Sequence, residues 1–457
     1  ISVFYPNWLI IRKFYLNLHL LKETKISMNQ SRKTNENAYI VKSLISGDGC
    51  GSLYTLEGTD SILRKIDDSF RNKYSSEKFL KNVDLLSSLI GEKNLAIPTD
   101  FVKGPFVGYT FQSEVCDMPL SDILVYNNKE YSHLNWMRKT GNVLRRIKIL
   151  LRISELLAKI HLKGFVICNF SPSNFLINKD DYSSEVFLAS TEWICYKAET
   201  MRPICVNKYT APEVASDFIT NTYSSDCYSF ALLVYELLCF HSIAPSAITT
   251  DDINACQYIA PEIQQMLISS LIKGRENINI RPAMDEWRNC LEKCLSKYIL
   301  CPNCGTAYPY LKGRSCPECK TVSTHVYTLA IRYWNKVEEF KNGDIQLVMD
   351  LMGENEYKAV LNPSTLQSIP EKWLYENLSD KEIATISILQ YNGFDFIHID
   401  PTNGSSLYIS LNPNQTVVVD HEINIRLRKS DDIIMISLND LSISQNVIVI
   451  DKNGLFN

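Results

Sequence analysis

Residues 160–177 read "IHLKGFVICNFSPSNFLI". Before and into this stretch, 144–163 ("LRRIKILLRISELLAKIHLK") repeats apolar residues at spacings of three and four, which predicts an amphipathic helix that Gly164 ends. A polar loop, "NFSPSN", then leads into the apolar "FLI". Between 164 and 177 there is no aspartate and no glutamate. What such a loop can do depends on what the rest of the chain places around it.

Upstream, residues 39–115 predict short strands around one helix. "AYIVKSLI", "GSLYTL" and "SILRKI" are β-like, "SSEKFLKNVDLLSSLIG" is helical, and "FVGYTFQSEV" is β-like again. Between the first two strands lies "SGDGCGSLY" (46–54), whose Gly47, Gly49 and Gly51 would let a hairpin approach phosphate oxygens and offer them amide donors. A tight hairpin with no ligand has the same composition. The third strand, "SILRKI", carries Lys65, and the helix after it carries Glu77. Downstream come "YTAPEV", then "SSDCYSFALLVYELLC" (224–239), nearly all apolar and so predicted to be a buried helix, then "INIRPAMDEW". Further helices are expected over 260–273 and 283–298.

In that order these motifs resemble a protein kinase domain of the bacterial serine/threonine-kinase-like group, covering residues 39–298. "IHLKGFVICNFSPSNFLI" is similar to the kinase pattern "LHxxGxVHRDLKPxNxLI" through His161, Gly164, Pro172, Asn174, Leu176 and Ile177. The resemblance implies an α+β, two-lobed fold with an N-lobe over 39–118 and a C-lobe over 119–298. It also implies a buried Glu213–Arg281 ion pair, an Asp226 that accepts backbone amides, and a site for ATP and Mg²⁺ lined by Gly47, Gly49, Gly51, Lys65, Glu77 and Asn174.

At the chemical positions the chain departs from that pattern. Phosphoryl transfer needs one carboxylate to orient the substrate hydroxyl and another to hold Mg²⁺. The first position falls at Asn169, whose amide cannot take a proton, and the second at Ser190, whose neutral hydroxyl is a poor magnesium ligand. Cys168 and Ser171 stand where the pattern has arginine and lysine. Glu192 is a candidate substitute for the metal carboxylate, and Asp48 within the glycine loop would repel a triphosphate. The expected class is therefore a pseudokinase, one whose strand lysine, Asn174 and glycine loop leave ATP binding open. An active serine/threonine kinase with relocated carboxylates is the alternative.

Residues 299–322 contain "CPNCGTAYPYLKGRSCPEC", two C-x2-C pairs separated by 11 residues. Four thiolates from Cys301, Cys304, Cys316 and Cys319 suit a closed, structural Zn²⁺ site. Ribbons of this kind can bind nucleic acid, but 47 basic against 51 acidic residues give a formal charge of −4, so protein docking is expected and nucleic acid is not. A zinc-ribbon nucleic-acid adaptor is the second alternative.

Residues 323–380 are expected to form a mixed helical linker, with helical candidates over 326–352. Residues 381–457 are expected to form a small β-sandwich, from closely spaced runs such as "FDFIHI", "SLYISL" and "VIVID". The ending "VIVIDKNGLFN" resembles the close of a forkhead-associated domain, without the arginine and serine that such a domain uses for phosphate. Residues 1–38 read as a disordered leader, with Met28 as the expected start. No apolar run is long enough to span a bilayer, and the scatter of ten cysteines outside the ribbon fits a reducing, cytoplasmic setting. Protein partners in phosphorylation signalling are the expectation.

Overall fold

The computed structural model describes residues 40–73, 84, 94–103, 107–112, 117–124, 126, 132–179, 183–197, 206–217, 220–240, 242–311, 313–363, 365–375, 381–402, 404–426 and 433–452. The expected leader with Met28 and the expected helix with Glu77 lie outside them. The chain divides into two compact units, one of Ile1–Glu130, Arg145–Cys256 and Glu262–Leu291, the other of Tyr131–Leu144, Gln257–Pro261 and Glu292–Asn457.

The first unit begins with a five-stranded antiparallel sheet in the order β1-β2-β3-β5-β4, made of β1 (Val41–Gly47), β2 (Gly51–Leu56), β3 (Ser61–Ile66), β4 (Asp100–Lys103) and β5 (Val107–Gln112). Its two faces bury different sets. Leu53, Ile62, Tyr109 and Phe111 pack with Leu176 and Phe187, while Tyr54, Leu56, Leu63 and Val102 form a separate cluster. Because side chains alternate along a strand, Arg64 shares a face with Ile62, and Lys65 shares the other with Leu63.

Helices follow. Asn142–Leu162 is the amphipathic helix, and Gly164 takes a φ of +86° where an added Cβ would come 2.8 Å from Tyr196. The helix Tyr223–Cys239 starts with a capping box between Thr222 and Ser225 and buries every residue from Ser225 to Cys239. Near its start, Asp226 accepts from the Ile167 amide at 3.0 Å and lies 2.9 Å from His161 Nε2. Arg281 donates to both oxygens of Glu213, at 2.7 and 2.9 Å, and its Nε donates to Gly274 O at 2.9 Å. Gly274 permits this, since a Cβ there would lie 2.7 Å from Arg281 Cγ.

In the second unit, two knuckles repeat one local pattern. "CPNCGT" and "CPECKT" each fold back so that the Gly305 and Lys320 amides donate to the carbonyls of Cys301 and Cys316. Both turn residues have positive φ, +70° for Gly305 and +61° for Lys320. The knuckles are fastened to their own unit: Arg138 donates to Cys304 O, Asn142 to Gly305 O at 2.7 Å, and His133 Nδ1 lies 2.9 Å from Glu318 Oε1. Ile299, Tyr308, Val326 and Val360 give them an apolar backing.

The rest of this unit is β-structure, which corrects the expected helical linker over 323–380. Its strands begin at Tyr327. One six-stranded sheet runs, in spatial order, Leu351–Leu361, Tyr327–Trp334, Gln445–Asp451, Ile433–Ser437, Leu407–Asn412 and Gln415–Val419. A four-stranded sheet runs Leu366–Pro370, Glu382–Tyr391, Phe394–Pro401 and Ile423–Arg426. Leu329, Leu361, Ile386, Ile399, Ile436 and Ile450, from both sheets, share one buried cluster. The reason for the difference is local and tertiary together. Asn342 and Gly343, with φ of +55° and +86°, turn Val337–Lys341 back on Asp344–Val348 as a hairpin, and Tyr327–Trp334 is paired on both sides. Among the described residues no helix is long and apolar enough to cross a membrane.

Candidate functional site

The loop at 164–177 and the β1–β2 hairpin meet in the first unit. Asn169 is 3 % exposed; its Nδ2 donates to Asp48 Oδ2 at 2.8 Å, and its Oδ1 accepts from Asn207 Nδ2 at 3.2 Å. Asn174 donates to Asn169 O at 3.1 Å, and its Oδ1 accepts from Ser190 Oγ at 2.8 Å. The oxygen expected to face a magnesium ion is thus bonded to the hydroxyl at the other expected magnesium position. Both polar ends of Asn174 are engaged within the protein.

Among the described residues, the cation that bonds Asp48 and Glu192 in this cleft is Arg64. This corrects the assignment of Lys65, which the alternation of β3 puts on the opposite face of the sheet. The sequence places Arg64 and Lys65 side by side, so spacing alone does not say which of the two turns inward. Arg64 donates through Nε to Glu192 Oε1 at 2.8 Å and through Nη2 to Asp48 Oδ2 at 3.0 Å. Burial opposes its charge, but Glu192 and then Asp48 more than offset that, holding the guanidinium pKa above the ordinary arginine value.

Glu192 is not available to replace a magnesium carboxylate. Its second oxygen accepts from Tyr109 OH at 2.7 Å, so both oxygens are committed, and the short helical turn Thr191–Trp193 is buried throughout. The expected partner of the strand cation, Glu77, lies outside the described residues; Arg64 pairs with both Glu192 and Asp48. Gly47, Gly49 and Gly51 do form the hairpin tip, but its amides turn inward: Cys50 N and Gly51 N donate to Asp48 Oδ1 at 3.0 and 2.8 Å. The tip is also tied across the cleft, with Ser46 Oγ donating to Ser173 O at 3.0 Å.

In the second unit the sulfurs of Cys301, Cys304, Cys316 and Cys319 all lie within 4.8 Å of one another. Cys301–Cys319 and Cys304–Cys316 are each 3.5 Å apart, too far for disulfides. Four sulfurs about 2.3 Å from a central zinc would stand about 3.8 Å apart, so the group fits a tetrahedral ion. The Thr306 and Thr321 hydroxyls, 3.2 and 3.3 Å from Cys304 and Cys319 Sγ, could support such thiolates.

No protein-family model matches the chain. It is 24% identical over 301 residues to the probable serine/threonine-protein kinase gdt4 of Dictyostelium discoideum, covering 62% of this chain and 17% of that protein. To the serine/threonine-protein kinase KDX1 of Saccharomyces cerevisiae it is 26% identical over 205 residues, covering 41% of this chain and 44% of that protein. The chain therefore spans less than half the length of either relative. Among solved structures it is similar, with a TM-score of 0.45 and 16% identity over 63% of this chain and 88% of the other, to ROP2 from Toxoplasma gondii, described as a virulence factor with a protein-kinase fold and no enzymatic activity. The sequence matches, with a five-stranded sheet followed by helices, give the first unit a protein-kinase-like fold.

Proposed function

We propose that this chain is a pseudokinase: a kinase-like unit that transfers no phosphate and acts as a scaffold or allosteric regulator for protein partners in phosphorylation signalling. The observation that carries the reading is the wiring of the cleft. Asn169 and Ser190, at the two positions where phosphoryl transfer needs carboxylates, spend their polar atoms on Asp48, Asn207 and Asn174. Asp48 and Glu192, the carboxylates beside them among the described residues, both pair with Arg64. The Glu213–Arg281 pair and the Asp226 contacts keep the helical lobe braced, which suits a surface retained for docking.

The four cysteines would hold a structural Zn²⁺, closed to substrate by its four protein ligands. A reducing cytoplasm suits both these thiols and the buried cysteines elsewhere in the chain.

A phosphotransfer assay with radiolabelled ATP, in Mg²⁺ and in Mn²⁺, tests the reading on the zinc-loaded chain with itself and a basic protein as acceptors. The expected result is no incorporation above that of an Arg64→Ala variant. Incorporation that disappears in that variant would favour the active-kinase alternative.

A further inference from the structure

We propose that Asp48 is a built-in occupant of the phosphate position in this cleft, and that its carboxylate keeps nucleoside triphosphates out. The inference rests on reading the first unit as a non-catalytic kinase-like cleft and states how that cleft is closed.

Asp48 stands at the tip of the β1–β2 hairpin, yet its side chain is 0 % exposed. It accepts four hydrogen bonds. Oδ1 takes the amides of Cys50 and Gly51, at 3.0 and 2.8 Å. Oδ2 takes Arg64 Nη2 at 3.0 Å and Asn169 Nδ2 at 2.8 Å. Backbone amides of a glycine-rich turn, a buried guanidinium and a side-chain amide from the facing loop are the donor types that bind phosphate oxygens. Here one carboxylate takes all of them. A carboxylate offers two anionic oxygens, as a phosphate does when gripped from two sides.

Neutralising Arg64 does not require Asp48. Glu192 already pairs with the guanidinium at 2.8 Å, so the second carboxylate leaves this group of three charges with a net negative sign. An arriving triphosphate would meet that charge unless Asp48 withdrew. Two features hold it in. Gly51 lies so close to β3 that a Cβ would stand 2.4 Å from Lys65 O and 2.9 Å from Arg64 Cζ, which is what lets the turn settle over Arg64. Ser46 Oγ, bonded to Ser173 O at 3.0 Å, fastens the hairpin to the loop opposite.

The test compares zinc-loaded parent protein with Asp48→Gly, Asp48→Asn and the double variant Asp48→Gly/Arg64→Ala. Binding of a fluorescent ATP analogue and thermal shift with ATP are measured with and without Mg²⁺. The parent should show no saturable binding up to millimolar nucleotide. Asp48→Gly should bind at least about tenfold more tightly than the parent. Asp48→Asn, which keeps the shape and removes the charge, should gain binding in the same direction, and the double variant should lose the gain. Equal binding by parent and variants would overturn the inference, as would folded Asp48 variants that bind nothing. Loss of folded protein in both single variants, judged by circular dichroism, would overturn it too, because Asp48 would then be a structural pillar. ATP binding by the parent without phosphotransfer defeats only this inference; phosphotransfer by the parent defeats the pseudokinase reading itself.

Discussion

Arg64 Nε lies 2.8 Å from Glu192 Oε1, joining positions 128 residues apart through side chains that are 1% and 0% exposed. A buried pair of this kind holds its partners strongly once formed, because removing one leaves the other charged in a medium that solvates it poorly. Glu192→Gln or Arg64→Met should each lower unfolding free energy by about 3–5 kcal/mol in urea titrations. Lys65→Ala, on the opposite face of β3, should cost less than either. Equal losses at residues 64 and 65 would contradict the orientation of β3.

The Glu213–Arg281 pair should be as demanding, and its geometry distinguishes arginine from lysine. Arg281 reaches both Glu213 oxygens and Gly274 O together. Lysine cannot reproduce that fork. Arg281→Lys should therefore recover little of the roughly 3–5 kcal/mol lost in Arg281→Ala. Denaturant midpoints of the two variants, measured beside the parent, check this.

Metal analysis of protein purified without chelator should give one zinc per chain. Structural zinc typically contributes about 10 kcal/mol or more of apparent binding free energy. Chelation, or Cys316→Ala, should therefore lower the thermal transition of the second unit markedly. A transition unchanged after the metal is stripped would count against a structural ion at these four sulfurs.

Acid should weaken the β-rich part through Asp395. Burial pushes this carboxyl up, but hydrogen bonds from His325, Tyr327 and Gln390 outweigh it and leave the pKa below the ordinary aspartate value. A carboxyl depressed in the folded state adds stability above its unfolded pKa and loses that contribution as pH falls through the folded one. Asp395→Asn should cost about 1–3 kcal/mol at neutral pH, and the gap to the parent should close as the pH drops below the ordinary carboxylate range. Urea titrations at neutral pH and at about pH 3 measure the gap.

The kinase-like order of elements was legible because its signals are local. The helix before Gly164, the mostly apolar 224–239 and the Glu213 and Arg281 motifs each announce themselves within a few residues. Inward and outward positions on β3 were not, since "ILRKI" places two cations side by side and only packing with Leu176, Phe187 and Glu192 selects Arg64. Asp48 was recognisable as a charge unsuited to triphosphate, but two of its four donors, Arg64 and Asn169, lie 16 and 121 residues away in sequence. At 337–348 the Asn342–Gly343 dipeptide was a readable hairpin signal, masked by flanking residues that favour helices.

The large sheet of the β-rich part closes by pairing its first strand with its last: Thr328 sits opposite Asp451 and Trp334 opposite Gln445. During synthesis, Tyr327–Trp334 therefore waits with one edge open while more than a hundred further residues are made. Contacts of such long sequence separation are slow to form, because loop closure must precede the pairing that rewards it. The kinase-like sheet, whose strands all precede residue 113, faces no such delay. The unit that emerges first can thus be folded while its neighbour still exposes an unpaired strand edge, and ribosome-bound or shortened chains ending before residue 445 should be the aggregation-prone forms of this protein.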